Sequence, residues 1–176
     1  MSEAVKEQKL DKVEFDVQLQ PKDLYRFNIY QTYTGIQGWI SVILGILGFV
    51  MAGITFGEAE LPYTILYIVV GFLFLFYIPV SLWFRAKAVL KTNTVLAGKL
   101  HYEVSDEQIH VTQGEDAGDL PWEAIYKIVA NKNQVLIYST RINAYVVPRE
   151  QIGDQYEGFC KIAKRKLQSY KLKMKN

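Results

Sequence analysis

The chain has two histidines, His101 and His110, and a single cysteine, Cys160. These are the side chains best suited to holding a metal or acting as a nucleophile. Both histidines fall in stretches that alternate polar and apolar residues, Leu100-His101-Tyr102-Glu103-Val104 and Gln108-Ile109-His110-Val111-Thr112. A period of two predicts strands, and the Ser105-Asp106-Glu107 turn between them predicts a hairpin. If Val104 pairs with Ile109, Glu103 faces His110 and His101 faces Thr112, so His101, Glu103 and His110 share the polar face. Two imidazoles and a carboxylate form a zinc-type donor set. The same pattern also describes an exposed strand face with one cross-strand Glu–His pair. No second cluster or partner for a metal-activated water accompanies it, so no resident cofactor is expected.

Cys160 stands beside Phe159 on an amphipathic helical pattern. A thiol nucleophile needs a base and a group that orients the base, and the sequence offers no such set. Gly45 and Gly48 do not precede a Lys-Ser/Thr pair, so no phosphate-cradling loop is present. These absences predict no catalytic residue and a protein that is not an enzyme.

The basic residues form two groups. Lys161, Lys164, Arg165, Lys166, Lys171, Lys173 and Lys175 follow one another with no acid between or after them, and Arg85, Lys87 and Lys91 form a smaller set. Close to an anionic leaflet each such residue contributes about 1 kcal/mol. A solvated helix face with a basic tail has the same composition. The net charge of +2 is too small to point to nucleic acid, and no aromatic stacking platform accompanies the lysines.

Two uncharged stretches, residues 36–56 and 61–84, separate these groups from the N-terminal segment. As helices rising about 1.5 Å per residue, each covers a hydrocarbon core of ~30 Å. Tyr33, Trp39, Tyr63 and Trp83 stand at their ends, at headgroup depth. The short link Gly57-Glu58-Ala59-Glu60 makes the two helices antiparallel neighbours. Lys22 and Arg26 before the first span, with Arg85, Lys87 and Lys91 after the second, put both termini in the cytoplasm and the glutamates outside. Ser41/Gly45 and Gly48/Ala52 are spaced for close helix contact with Gly71, and through such contacts a homo-oligomer stays open. Pro79 predicts a kink. Neither span holds an ionisable side chain, which speaks for an anchor and against a transport path.

The remaining residues read as a small α+β unit. Val13–Leu19 alternates as a strand, and Pro21 and Asp23 open a helix leading to the first span. After the second span the helix continues to about Leu96. The His101/His110 hairpin follows, then a turn at residues 114–118, strands near residues 124–130, 135–139 and 144–147, and a helix from about 154 to 170. This order, with Leu120-Pro121-Trp122, Ile125 and Val147-Pro148-Arg149, resembles the YcxB-like family of bacterial membrane proteins. The resemblance runs from about Val13 to the last helix. It implies a pleckstrin-homology-like (PH-like) domain: an antiparallel sheet closed by a C-terminal helix, in a bacterial plasma membrane.

The expected architecture is thus an α+β membrane protein with three parts: a cytoplasmic strand and helix over 1–35, a transmembrane hairpin over 36–84, and a PH-like domain over 85–176. The expected function is that of a membrane-anchored, non-enzymatic module whose domain binds a protein partner or anionic lipid headgroups. Arg85, Lys87, Lys91, Lys161, Lys164, Arg165, Lys166, Lys171 and Lys173 are its candidate contacts. Two alternatives remain: a metal- or thiol-dependent enzyme at the membrane surface, and an accessory subunit of a transport complex.

Overall fold

The computed structural model describes residues 12–174. The first eleven residues of the expected N-terminal segment, and Lys175, lie outside them. By internal contacts the chain divides into two compact units, one made of residues up to Leu19 and from Thr94 onward, the other of Gln20–Asn93.

The second unit is helical: α1 (Pro21–Thr34), α2 (Ile36–Thr55) and α3 (Leu61–Thr92). Pro21 opens α1 with its φ already helical, and the Gln20 N–H donates to Asp23 Oδ2 at 2.9 Å, satisfying a donor the helix leaves unpaired. The extended backbone at Gly35 separates α1 from α2. The bend there is tight: a Cβ at Gly38 would stand 2.9 Å from the Thr32 carbonyl oxygen. Gly57, at φ +86°, turns the chain between α2 and α3.

Along α2 the buried positions are Gly38, Ser41, Gly45, Gly48 and Ala52. A Cβ at Gly48 would come within 2.9 Å of the Gly71 backbone, and the Ser41 hydroxyl donates to the Phe74 carbonyl oxygen. The small-residue stripe is therefore consumed inside the hairpin. Most large apolar side chains of α2 and α3 point outward, Ile36, Phe56, Leu61, Tyr77 and Phe84 all more than 60% exposed. Both helices are long and apolar enough to cross a membrane, at 20 and 32 residues. Helix α3 runs unbroken through Pro79, whose missing N–H leaves the Leu75 carbonyl without its helical partner.

Among the described residues the first unit contains eight strands: β1 (Val13–Gln18), β2 (Lys99–Val104), β3 (Gln108–Gln113), β4 (Asp116–Pro121), β5 (Lys127–Ala130), β6 (Gln134–Tyr138), β7 (Ala144–Pro148) and β8 (Leu172–Met174). The α-helices described with them are α4 (Thr94–Ala97), α5 (Arg149–Ile152) and α6 (Tyr156–Lys166). Strands β1-β2-β3-β4 make one antiparallel sheet in that order. The other has the order β7-β6-β5-β8, antiparallel except for the parallel β5–β8 pair. The strand read before the hairpin thus pairs with the strand read after it, Val13 opposite Val104 and Phe15 opposite Tyr102.

Alternation decides which faces are buried. Val13, Phe15 and Val17 are buried while Glu14, Asp16 and Gln18 are exposed. Phe15 stacks on Tyr102 at 5.4 Å, and Phe159 of α6 meets Phe15 edge-on at 6.5 Å. Such ring pairs add about 1 kcal/mol each to the area they bury. Ile162, Ala163 and Leu167 extend the buried face of α6, and β6 is buried at all five positions.

Several boundaries differ from the sequence expectation. The helix after the second span stops at Thr92, where Asn93 leaves helical geometry, and resumes only as the single turn α4. The C-terminal helix ends at Lys166 and not near residue 170, because Leu167 turns extended and leads the chain back to lay β8 along β5. Residues 116–118, read as turn, begin β4, held by pairing with Gln113, Thr112 and Val111.

Candidate functional site

The polar residues of β1 to β4 form one outward face. The register places Glu103 opposite His110, His101 opposite Thr112 and Asp16 opposite His101. Both imidazoles are already engaged through Nδ1: His101 with Asp16 Oδ1 at 2.7 Å, His110 with Asp119 Oδ1. His101 Nε2 stands 3.8 Å from Glu103 Oε1.

The metal-type group that assembles here is not the one the hairpin alone suggests. Glu14, His101 and Glu103 bring donor atoms within 4.8 Å of one another, while His110 turns to Asp119. Lys12 already supplies a cation, its ammonium 2.7 Å from Glu14 and 3.0 Å from Glu103. Lys99 does the same for Asp16 at 2.7 Å. These contacts hold the carboxyls of Asp16 and Glu103 below their ordinary range, through Lys99 and His101 for the first and Lys12 for the second. His110 does so for Asp119. Chemically the face is a network of ion pairs and hydrogen bonds on largely exposed side chains, each pair contributing little to stability. Glu14 and Asp16 were missed as members of the group. Their signal was the alternation of β1, which gave their face but not their partner strand.

The basic run separates into engaged and open members. Arg165 grips Asp106 at 2.7 Å with Lys166 at 3.6 Å from the same carboxylate, tying α6 to the β2–β3 turn. Lys171 donates to the Ile125 carbonyl at 2.9 Å. Lys161 and Lys164 on α6, and Lys173 on β8, are exposed, and their ammonium groups have no ion pair or hydrogen bond among the described residues. In the helical unit Arg85, Lys87 and Lys91 are exposed on the last turns of α3, with the Lys87 ammonium 4.9 Å from the Trp83 ring.

Cys160 is partly buried, and its thiol neighbours the Tyr156 phenol. Burial first, and the neighbouring thiol second, push Tyr156 above its ordinary value, so the phenol is no base for the thiol near neutral pH. Arg149 covers the other side of that ring, 3.9 Å from its centroid. Trp122 is buried, and its indole N–H donates to the Ser105 carbonyl at 3.0 Å. It closes the β2–β3 turn and lines a surface pocket together with Glu123, Leu167, Gln168 and Tyr170.

Residues 104–163 match the family model described as YcxB-like protein. The match runs from the end of β2 through most of α6, the part of the chain whose motifs carry the resemblance. No curated protein and no solved structure matches the chain at a significant level.

Proposed function

We propose that this chain is a membrane-anchored, non-enzymatic module. In this reading α2 and α3 cross the plasma membrane as an antiparallel hairpin, Glu58 and Glu60 lie outside, and both flanks lie in the cytoplasm. The two-sheet unit is a PH-like domain that binds anionic headgroups or a protein partner at the inner leaflet. Four antiparallel strands in one sheet, the antiparallel β5–β7 in the other and the helix α6 support such a domain, to which the parallel strand β8 is an addition.

One observation carries the reading: the apolar side chains of α2 and α3 point outward along both helices while small residues fill their contact. In water this surface is far larger than the few hundred Å2 of contiguous apolar patch a soluble monomer exposes. In a bilayer it is the surface expected. The open lysines Lys161, Lys164 and Lys173 then supply charge for phosphate groups.

Hydrogen exchange on the full chain in nanodiscs tests the headgroup contact. The reading expects α6 amides to exchange more slowly in anionic than in neutral discs, and Lys161→Glu with Lys164→Glu to remove the difference. Equal exchange in both lipids, together with no protein co-purifying in mild detergent, would overturn it.

A further inference from the structure

On the outward face of the first sheet two glutamates stand directly opposite one another, Glu14 on β1 and Glu103 on β2. Like charges so placed repel. The next pair on that face is Asp16 opposite His101, so three carboxylates and an imidazole share a patch two strands wide. Two ammonium groups answer them. Lys99 meets Asp16 at 2.7 Å, and Lys12 bridges Glu14 at 2.7 Å and Glu103 at 3.0 Å. The shortfall of positive charge lies at the glutamate pair, where one ammonium serves two carboxylates.

His101 is oriented for that place. An ionised carboxylate only accepts, so the 2.7 Å contact with Asp16 puts the proton of a neutral imidazole on Nδ1 and the lone pair on Nε2. Nε2 faces Glu103 Oε1 at 3.8 Å, too far for a hydrogen bond. Two ligands of one ion, each bonded at about 2.0–2.2 Å, stand roughly 3–4 Å apart. Glu14, His101 and Glu103 each offer one donor atom, all within 4.8 Å of one another. Asp16 then stands where a metal-bound histidine usually has its second partner, a carboxylate that fixes the tautomer and the ring plane.

We propose that Glu14, His101 and Glu103 form a binding site for a zinc-class divalent cation, with Asp16 as the positioning residue behind His101 and Lys12 as an internal competitor for the same place. One nitrogen and two carboxylate donors suit zinc and its neighbours better than magnesium or calcium, which take oxygen shells. A divalent ion balances both glutamates where Lys12 balances one. The Lys12 side chain, 46% exposed, has open solvent to move into. The bound ion pins β1 to β2, the strands between which the helical unit is inserted, and stabilises the folded chain by mass action. The site stands independently of the membrane reading.

The test uses the full chain in mild detergent, purified without a histidine tag. Zn2+ is titrated by calorimetry and Co2+ by its visible absorption. The proposal expects one ion per chain, a raised unfolding temperature and no comparable effect of Mg2+. Glu14→Gln and His101→Gln should each weaken Zn2+ binding at least about tenfold, and Asp16→Asn by about tenfold. Lys12→Met should tighten it, which loss of a merely structural ion pair would not do. His110→Asn and Cys160→Ser should leave it unchanged. If a ligand substitution unfolds the chain, the comparison of Lys12→Met with the unaltered protein decides. Absence of saturable binding, affinity that survives both Glu14→Gln and His101→Gln, or affinity that Lys12→Met fails to raise overturns the site. Loss of binding in His110→Asn or Cys160→Ser places the ion elsewhere and overturns it too. Mg2+ binding as tight as Zn2+ overturns the role of His101.

Discussion

At the scale of single residues, Trp122 and the charged face of β1–β4 make opposite claims on stability. Trp122 is buried with its one donor satisfied by Ser105. Trp122→Phe keeps most of the apolar burial but leaves the Ser105 carbonyl without this donor, and should cost about 1–3 kcal/mol. Thermal unfolding of the detergent-solubilised chain measures it. The ion network should matter less, and its pH dependence has a definite sign. Asp16 and Glu103 are held below ordinary values of 3.8 and 4.5, chiefly by Lys99 and Lys12. Their contribution is complete above the unfolded pKa and lost as pH falls through the lowered folded one. Lys12 is raised above 10.5 by Glu14 and Glu103, so its share is complete below that value and lost as pH rises past the folded pKa. Replacing Lys12 and Lys99 by Met should therefore leave the acid limb of a melting curve below roughly pH 4 shallower. An unchanged acid limb would show that these pairs contribute nothing measurable.

At the scale of elements, the stripe on α2 is the clearest case of sequence dictating contact. Ser41, Gly45, Gly48 and Ala52 are buried, and Gly71 lies against Gly48. Gly48→Leu must push α3 away and should destabilise the hairpin by about 1–3 kcal/mol, read by unfolding in mild detergent, while Gly53→Leu, with nothing near its Cβ, should be tolerated. Strand β1 and the β2–β3 hairpin were equally legible, down to Val104 opposite Ile109, because period-two alternation fixes both face and register. Two strands were not legible, for physical reasons. The start of β4, Asp116-Ala117-Gly118, is a run of poor strand formers held by backbone pairing with β3. Strand β8 is three residues long and pairs in parallel after a crossover, which no local pattern encodes. The candidate site was legible in part for the same reason. Alternation named His101 and Glu103, but their engagement by Asp16 and Lys12 depends on a strand more than eighty positions away in the chain. Likewise Asp106 read only as a turn residue, although it holds Arg165 and Lys166 of the basic run.

At the scale of the whole molecule, the helical unit interrupts the strand unit in sequence, since β1 precedes it and β2 follows it. A fragment beginning at Thr94 lacks Val13, Phe15 and Val17 and exposes the β2 edge that pairs with them. Such a fragment should aggregate or lack cooperative unfolding, whereas joining residues 12–19 to its start through a flexible linker should restore a sharp transition. Far-UV circular dichroism melts of the two proteins separate these outcomes. The central claim is the anchored hairpin with its domain in the cytoplasm, and labelling intact cells with a membrane-impermeant maleimide tests it most directly. In a Cys160→Ser background, Glu58→Cys should label in intact cells and Lys132→Cys only after permeabilisation. Labelling of position 132 in intact cells, or protection of position 58, would contradict the account.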